Sequence, residues 1–201
     1  MRYASKLCLN SIMDIVAIHG AWSTSNSFNY LRSQVGGNWK TLDYDHLGEN
    51  INGIVDRFRS EITAPCVLAG HSLGGIVALA LHDHPQVQGI VTIASPLGGL
   101  RLNLVQKIMS LSRMISEIAT DSACMRDLHN QQYNKPVLHL VSTQGFNPFM
   151  YEPNDGVIPM SSQTRWTCGE TINIATNHYE IVQHEQTVAS IIEFGQRFSN
   201  F

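Results

Sequence analysis

Gly70-His71-Ser72-Leu73-Gly74 sets a serine between two glycines, directly after the apolar run Cys66-Val-Leu-Ala69 and directly before the apolar stretch 76–82. These two runs read as a buried strand and a helix, so the serine lies on a strand-to-helix turn. A nucleophile on so tight a turn needs small neighbours, because a Cβ at position 70 or 74 would crowd the backbone, and Gly75 extends the clearance. The helix that begins near Gly74 aims unpaired N–H groups and the positive end of its dipole at Ser72. That setting suits attack by a hydroxyl on a carbonyl carbon, with the resulting oxyanion held by the turn. A glycine-rich turn whose serine merely caps a helix has the same composition. What separates the two is a base elsewhere in the chain, and a carboxylate to orient it, since a serine hydroxyl is a poor nucleophile until its proton is taken.

The elements that must bring such groups together alternate in type. Residues 14–19 form a short β-branched run that reads as a buried strand, and 25–35 carry Phe28, Leu31 and Val35 at helical spacing. Residues 39–44 read as a weaker strand. The stretch 50–62 places Ile51, Ile54, Val55, Phe58 and Ile62 on one helical stripe closed by Pro65. Strand 66–69, turn 70–75 and helix 76–82 follow, the last stopped by Pro85. Residues 90–94, 136–141 and 171–175 are further strands, and 179–198 are a closing helix with Ile181, Val188, Ile191 and Phe198 on its stripe. Between them, 103–132 carry Leu104, Ile108, Leu111, Ile115 and Ile118 at helical spacing. Strands apolar on both faces that alternate with amphipathic helices predict an α/β fold of about six mostly parallel strands, helices covering both faces.

The serine turn in this setting resembles the α/β-hydrolase superfamily, most closely its small lipase- and esterase-like members. In that family nucleophile, acid and histidine follow one another in chain order, the acid after a late strand and the histidine after the last. The resemblance implies Asp155, in Glu152-Pro-Asn-Asp155-Gly156, as the acid, with Glu152 as its nearest substitute, although Asn-Asp-Gly is also a plain turn former. Asp83, Asp121 and Asp127 precede the required strand. It implies His178 as the base. His184 is the rival, and its spacing from Ile181 and Val188 puts it on the buried stripe of the closing helix. His82, His84 and His129 read as surface residues, too scattered for a metal site. His19-Gly20-Ala21-Trp22 resembles the family's oxyanion loop, which makes the amides of Ala21 and Leu73 the expected donors and leaves His19 to order the loop. Trp22 and His71 are the substrate-side candidates. The resemblance runs over 14–198, implies that the chain starts at the family's third strand, and gives 103–132 the place of a cap, read here as sheet packing with a partial cap contribution.

Composition narrows the rest. The 201 residues, 43% hydrophobic and 14% charged, suffice for one domain spanning 1–201 with a substantial core. A net charge of -3 with no Lys/Arg run excludes the footprint of a nucleic-acid binder, and no basic cluster for a lipid headgroup is visible in the sequence. No signal peptide and no apolar run near the roughly 20 residues of a membrane span can be read, so a cytoplasmic location is expected. Cys8, Cys66, Cys124 and Cys168 are widely spaced without a CxxC pair and are expected as free thiols. No metal or other cofactor is expected. The expected activity is hydrolysis of a small or lipid-like carboxylic ester through an acyl-enzyme on Ser72. An acyltransferase or cofactor-free perhydrolase would use the same residues, and a non-catalytic binding protein would use the same scaffold. Trp22, Phe28 and the apolar stripe over 104–118 suggest an apolar acyl group.

Overall fold

The computed structural model describes residues 12–101, 113–165 and 168–198. Six strands, β1 (Ile15–Ile18), β2 (Trp39–Leu42), β3 (Cys66–His71), β4 (Val87–Ile93), β5 (Val137–Ser142) and β6 (Glu170–Ile174), form one sheet in the order β2-β1-β3-β4-β5-β6. Every pairing is parallel. β1, β3 and β5 are buried along their whole length, as expected of strands covered on both faces, whereas β6 at the edge is mostly exposed.

Helices cover both faces. On one side α2 (Ile51–Glu61), α3 (Leu73–Ala80), α4 (Arg113–Glu117) and α5 (Ala123–Asn130) bury Ile54, Phe58, Ile76, Met114 and Leu128 against the sheet. On the other, α1 (Asn29–Val35) and α7 (Glu185–Gln196) bury Leu31, Ile191 and Phe194. α2 starts where the sequence places it, because the Asn50 side chain accepts from the amide of Gly53 at 2.8 Å. A short helix, α6 (Met160–Gln163), lies between β5 and β6.

The strand order decides where a site can form. From β1 the chain moves to one side, to β2, and then crosses back to β3 on the other. β1 and β3 are therefore neighbours whose following loops leave in opposite directions, and parallel sheets open a crevice at the carboxyl ends of such a pair.

Several local expectations are corrected. The stretch 25–35 begins as a 3-10 turn, Ser25–Phe28, before α1. In 103–132 the described part comprises two short helices, α4 and α5, while Leu104, Ile108 and Leu111 lie outside the described residues. The closing helix is not continuous. A 3-10 turn, Glu180–Gln183, is cut off from α7 by His184, whose ψ of 137° is extended. His184 is thus not on a buried stripe; it is half-buried and caps α7, its Nδ1 accepting from the Gln186 amide at 3.2 Å. His84 is buried rather than on the surface, with Nε2 donating to the Arg59 carbonyl and Nδ1 accepting from the Gln86 amide. Cys66, Cys124 and Cys168 are free thiols; Cys8 lies outside the described residues. Among the described residues no helix is long and apolar enough to cross a membrane.

Candidate active site

Ser72 is the single residue between β3 and α3. Its φ of 53° and ψ of -122° lie where side chains are rarely tolerated, at a cost of about 1–3 kcal/mol. The turn is fixed by the Ser72 amide, which donates to the Ile93 carbonyl of β4 at 2.8 Å. The neighbouring glycines are required by contact: a Cβ on Gly70 would run into the Gly74 carbonyl, one on Gly74 into the Ile18 carbonyl, and one on Gly75 into the Ser95 hydroxyl. Leu73 is the first residue of α3, so its amide has no acceptor within the helix.

His178 follows β6, and its Nδ1 donates to Asp155 Oδ2 at 2.7 Å. The two side chains are 3% and 0% exposed, so this pair is shielded from water. The bond places a ring proton on Nδ1. Asp155 collects three more donors. The amides of Val157 and Ile158 reach Oδ1 at 2.9 and 2.6 Å, and Gln163 Nε2 reaches Oδ2 at 3.0 Å. The main chain of His178 is held as well, its amide donating to the Asp155 carbonyl at 3.0 Å and its carbonyl accepting from His71 Nε2 at 2.9 Å. Burial, with the nearby His178, pushes the His71 imidazole down to about 3, so it works here as a neutral N–H donor. Glu152, the alternative acid, lines a separate hollow.

The loop after β1 carries the other candidate donor. His19 stacks on Tyr44 with ring centres 4.4 Å apart, donates from Nδ1 to the Gly20 carbonyl at 2.8 Å, and accepts the Tyr44 amide on Nε2 at 3.4 Å. The Tyr44 hydroxyl returns a bond to the His19 carbonyl at 2.8 Å, and burial raises that phenol well above its ordinary range, which keeps it a donor. His19 thus orders the loop. Gly20 passes so close to the serine turn that a Cβ there would sit 2.9 Å from Ser72 Cβ. Trp22, at a φ of 53°, turns the chain outward and leaves its indole 69% exposed.

These groups meet in one cleft of about 290 Å³, whose wall includes Ala21, Trp22, His71, Ser72, Leu73 and His178. All seven residues expected at the site except Asp155, which stands behind His178, line it. Ile115 and Ile118 from the expected cap segment and Leu100, Val157, Ile158 and Val182 complete an apolar interior with no Asp, Glu, Lys or Arg among its described lining residues. No group of three or more His, Cys, Asp or Glu able to hold a metal occurs among the described residues.

Residues 22–191 match the family described as the PGAP1-like alpha/beta domain. The chain belongs to this family. No curated protein sequence matches it. Among solved structures, the PGAP1-like domain is similar to the mature lipase BlEst2 of Bacillus licheniformis, with a TM-score of 0.67 at 16% identity over 92% of each chain. It is also similar to a Paleococcus ferrophilus monoacylglycerol lipase, with a TM-score of 0.63 at 15% identity over 92% of this chain and 94% of the other. A structure from the metagenome-derived lipolytic enzymes LipS and LipT gives 0.69 at 14% identity over 93% and 94%. The PGAP1-like domain therefore has the α/β-hydrolase fold of lipases and esterases.

One residue of the PGAP1-like domain escaped the sequence reading. Gln163 is 1% exposed and, besides its bond to Asp155, pairs with both main-chain groups of Ser142: Oε1 accepts from the amide at 3.0 Å and Nε2 donates to the carbonyl at 3.1 Å. A lone glutamine in a polar turn gives no sequence signal for this role.

Proposed function

We propose that the PGAP1-like domain is a serine hydrolase that cleaves carboxylic esters. The observation that carries this reading is the buried 2.7 Å pair of His178 Nδ1 and Asp155 Oδ2, opening on a cleft whose wall also holds Ser72 on its strained turn. The shape and apolar lining of the cleft favour an uncharged acyl group, with Trp22 at the mouth.

In this mechanism His178 Nε2 takes the Ser72 hydroxyl proton as Oγ forms a bond to the ester carbonyl carbon. The carbonyl π electrons move onto oxygen, and the amides of Ala21 and Leu73 donate to that oxyanion. Collapse breaks the bond to the alcohol oxygen, which leaves with the proton held on His178. Water then gives a proton to the same Nε2 and attacks the acyl-enzyme, and the carboxylic acid departs as the proton returns to Ser72. Asp155 keeps its charge throughout and stabilises the imidazolium by orientation and proximity. His71 is a positioning residue for His178, acting through the main-chain carbonyl.

The test is turnover of p-nitrophenyl esters of increasing acyl length, together with labelling by a fluorophosphonate, which reacts only with an activated serine. Ser72→Ala is expected to remain folded, to lose labelling, and to lose turnover by roughly 10⁵–10⁶-fold, the scale of nucleophile loss in a serine protease. Wild-type rates in that variant would end the assignment, and absence of labelling in the wild type would favour a binding protein.

A further inference from the structure

A second hollow, of about 560 Å³, adjoins the reactive cleft and shares Leu100 and Val157 with it as a common wall. The two differ in charge. The cleft has no Asp, Glu, Lys or Arg among its described lining residues, whereas the hollow presents both Arg101 and Arg165. Arg101 and Arg165, like Arg32, Arg126 and Lys135, form no ion pair among the described residues, whereas Lys40, Arg57, Arg59 and Arg197 each pair with a carboxylate; what sets Arg101 and Arg165 apart is that both line one hollow. Glu152 is the one carboxylate among its described lining residues, which leaves an excess of positive charge there. Ser161 and Thr120 add hydroxyl donors.

The arginines stand on a braced frame. The Gly98 amide donates to the Ser162 carbonyl at 2.7 Å, and the Ser162 hydroxyl donates to the Gly99 carbonyl at 2.7 Å, tying the loop after β4 to α6. Gly98 also makes room for the Arg165 stem, since a Cβ there would lie 2.9 Å from Arg165 Cδ. Guanidinium groups match the fork of a phosphate or carboxylate better than any other cation of a protein. We propose that this hollow receives the alcohol half of the ester, and that this alcohol carries an oxyanion bound by Arg101 and Arg165. The proposal rests on the ester-hydrolase reading: the apolar cleft that holds Ser72 takes the acyl chain, and the basic hollow beyond the shared Leu100 and Val157 takes the anionic leaving group.

The experiment compares water-soluble butanoyl esters that differ only in the alcohol, namely glycerol, glycerol phosphate and glycerate, with p-nitrophenyl butanoate as the neutral reference. At least one anionic ester is expected to have a kcat/KM about tenfold above that of the glycerol ester. Arg101→Gln and Arg165→Gln should each lower that value by about fivefold to tenfold, the scale of one charge-assisted hydrogen bond at an open site. p-Nitrophenyl butanoate turnover should not change in either variant. The preferred ester then identifies the oxyanion as phosphate or carboxylate. Equal rates on neutral and anionic esters, or an equal loss on p-nitrophenyl butanoate, would overturn the proposal. Calorimetry of glycerol phosphate and of glycerate with the Ser72→Ala protein tests the hollow without any turnover. If no ester at all is hydrolysed, the hydrolase reading fails, while binding that disappears on combining Arg101→Gln with Arg165→Gln still supports the anion site, and absence of binding removes it.

Discussion

Gln163→Met is the most informative single substitution, because it keeps the volume and flexibility of the side chain while deleting its hydrogen bonds. β4 ends at Ile93, and the Ala94 amide makes the next sheet bond, to the Leu140 carbonyl at 2.8 Å. Ser142 extends past that end, and the Gln163 amide takes the place a longer β4 would have occupied. With Met there, two main-chain groups of a fully buried residue lose their partners, at about 1–3 kcal/mol each. A total near 2–6 kcal/mol corresponds to a fall in Tm of roughly 5–20 °C for a chain of this size. The same change removes one of the four donors to the Asp155 carboxylate, so kcat should fall by about tenfold while three donors remain. Urea unfolding followed by circular dichroism, and ester turnover well below the new Tm, measure the two effects separately. Wild-type stability would refute the strand-capping argument, and lost stability with undiminished kcat would refute the role at Asp155.

Asp155→Asn should lower kcat by about 10⁴-fold, the scale seen in a serine protease when the histidine loses its carboxylate, while Glu152→Gln leaves kcat near wild type; the opposite result in steady-state kinetics would move the acid. His184→Ala should cost about 0.5–2 kcal/mol as a lost helix cap without slowing turnover, whereas His178→Ala should abolish turnover in a folded protein, and the reverse pattern would reassign the base. Stability should fall on acidification partly through His71, because the unfolded chain takes up a proton near pH 6.5 that the folded protein refuses until about 3. Between those limits the loss is about 1.4 kcal/mol per pH unit, fully developed below about pH 3, so His71→Gln should flatten the dependence of the urea midpoint between pH 7 and 4.5, and parallel curves would exclude it.

The sequence exposes those parts of the site whose constraints are local. Gly70 is legible because the backbone that crowds it, at Gly74 and Gly75, lies within the same turn, and the apolar runs on either side give away strand and helix, although Gly74 and Gly75 are further constrained by Ile18 and Ser95, which only the fold brings near. Asp155 and His178 could be placed only by their order after β5 and β6, a resemblance that composition would not supply. Gln163 was illegible because its partners, Ser142 and Asp155, become neighbours only when α6 packs on the end of β5. Arg101 and Arg165 stand far apart in the chain, so the basic character of their hollow exists only in three dimensions. His184 was misplaced because helical spacing runs on smoothly through a residue whose backbone is extended, and side-chain periodicity carries no record of one ψ angle.

Among the described residues three other than glycine hold a positive φ, namely Trp22, Ser72 and Ala94, and they follow β1, β3 and β4, three adjacent strands. Each such backbone costs about 1–3 kcal/mol, and each persists only because its surroundings leave no alternative. For Ser72 the constraint is the bond to Ile93 and the glycine contacts beneath it; for Ala94 it is the bond to Leu140. Strain concentrated along one edge of an otherwise regular parallel sheet is what the proposed mechanism requires, since a hydroxyl and two amides held rigidly would need no rearrangement as charge develops. The same edge brings in His178, whose amide, carbonyl and Nδ1 are each tied while its ring lines the cleft. A scaffold that only bound a ligand would have no need to fix the tautomer of that imidazole or to bury a carboxylate with four donors behind it, and this is the physical ground for preferring catalysis to binding on this fold.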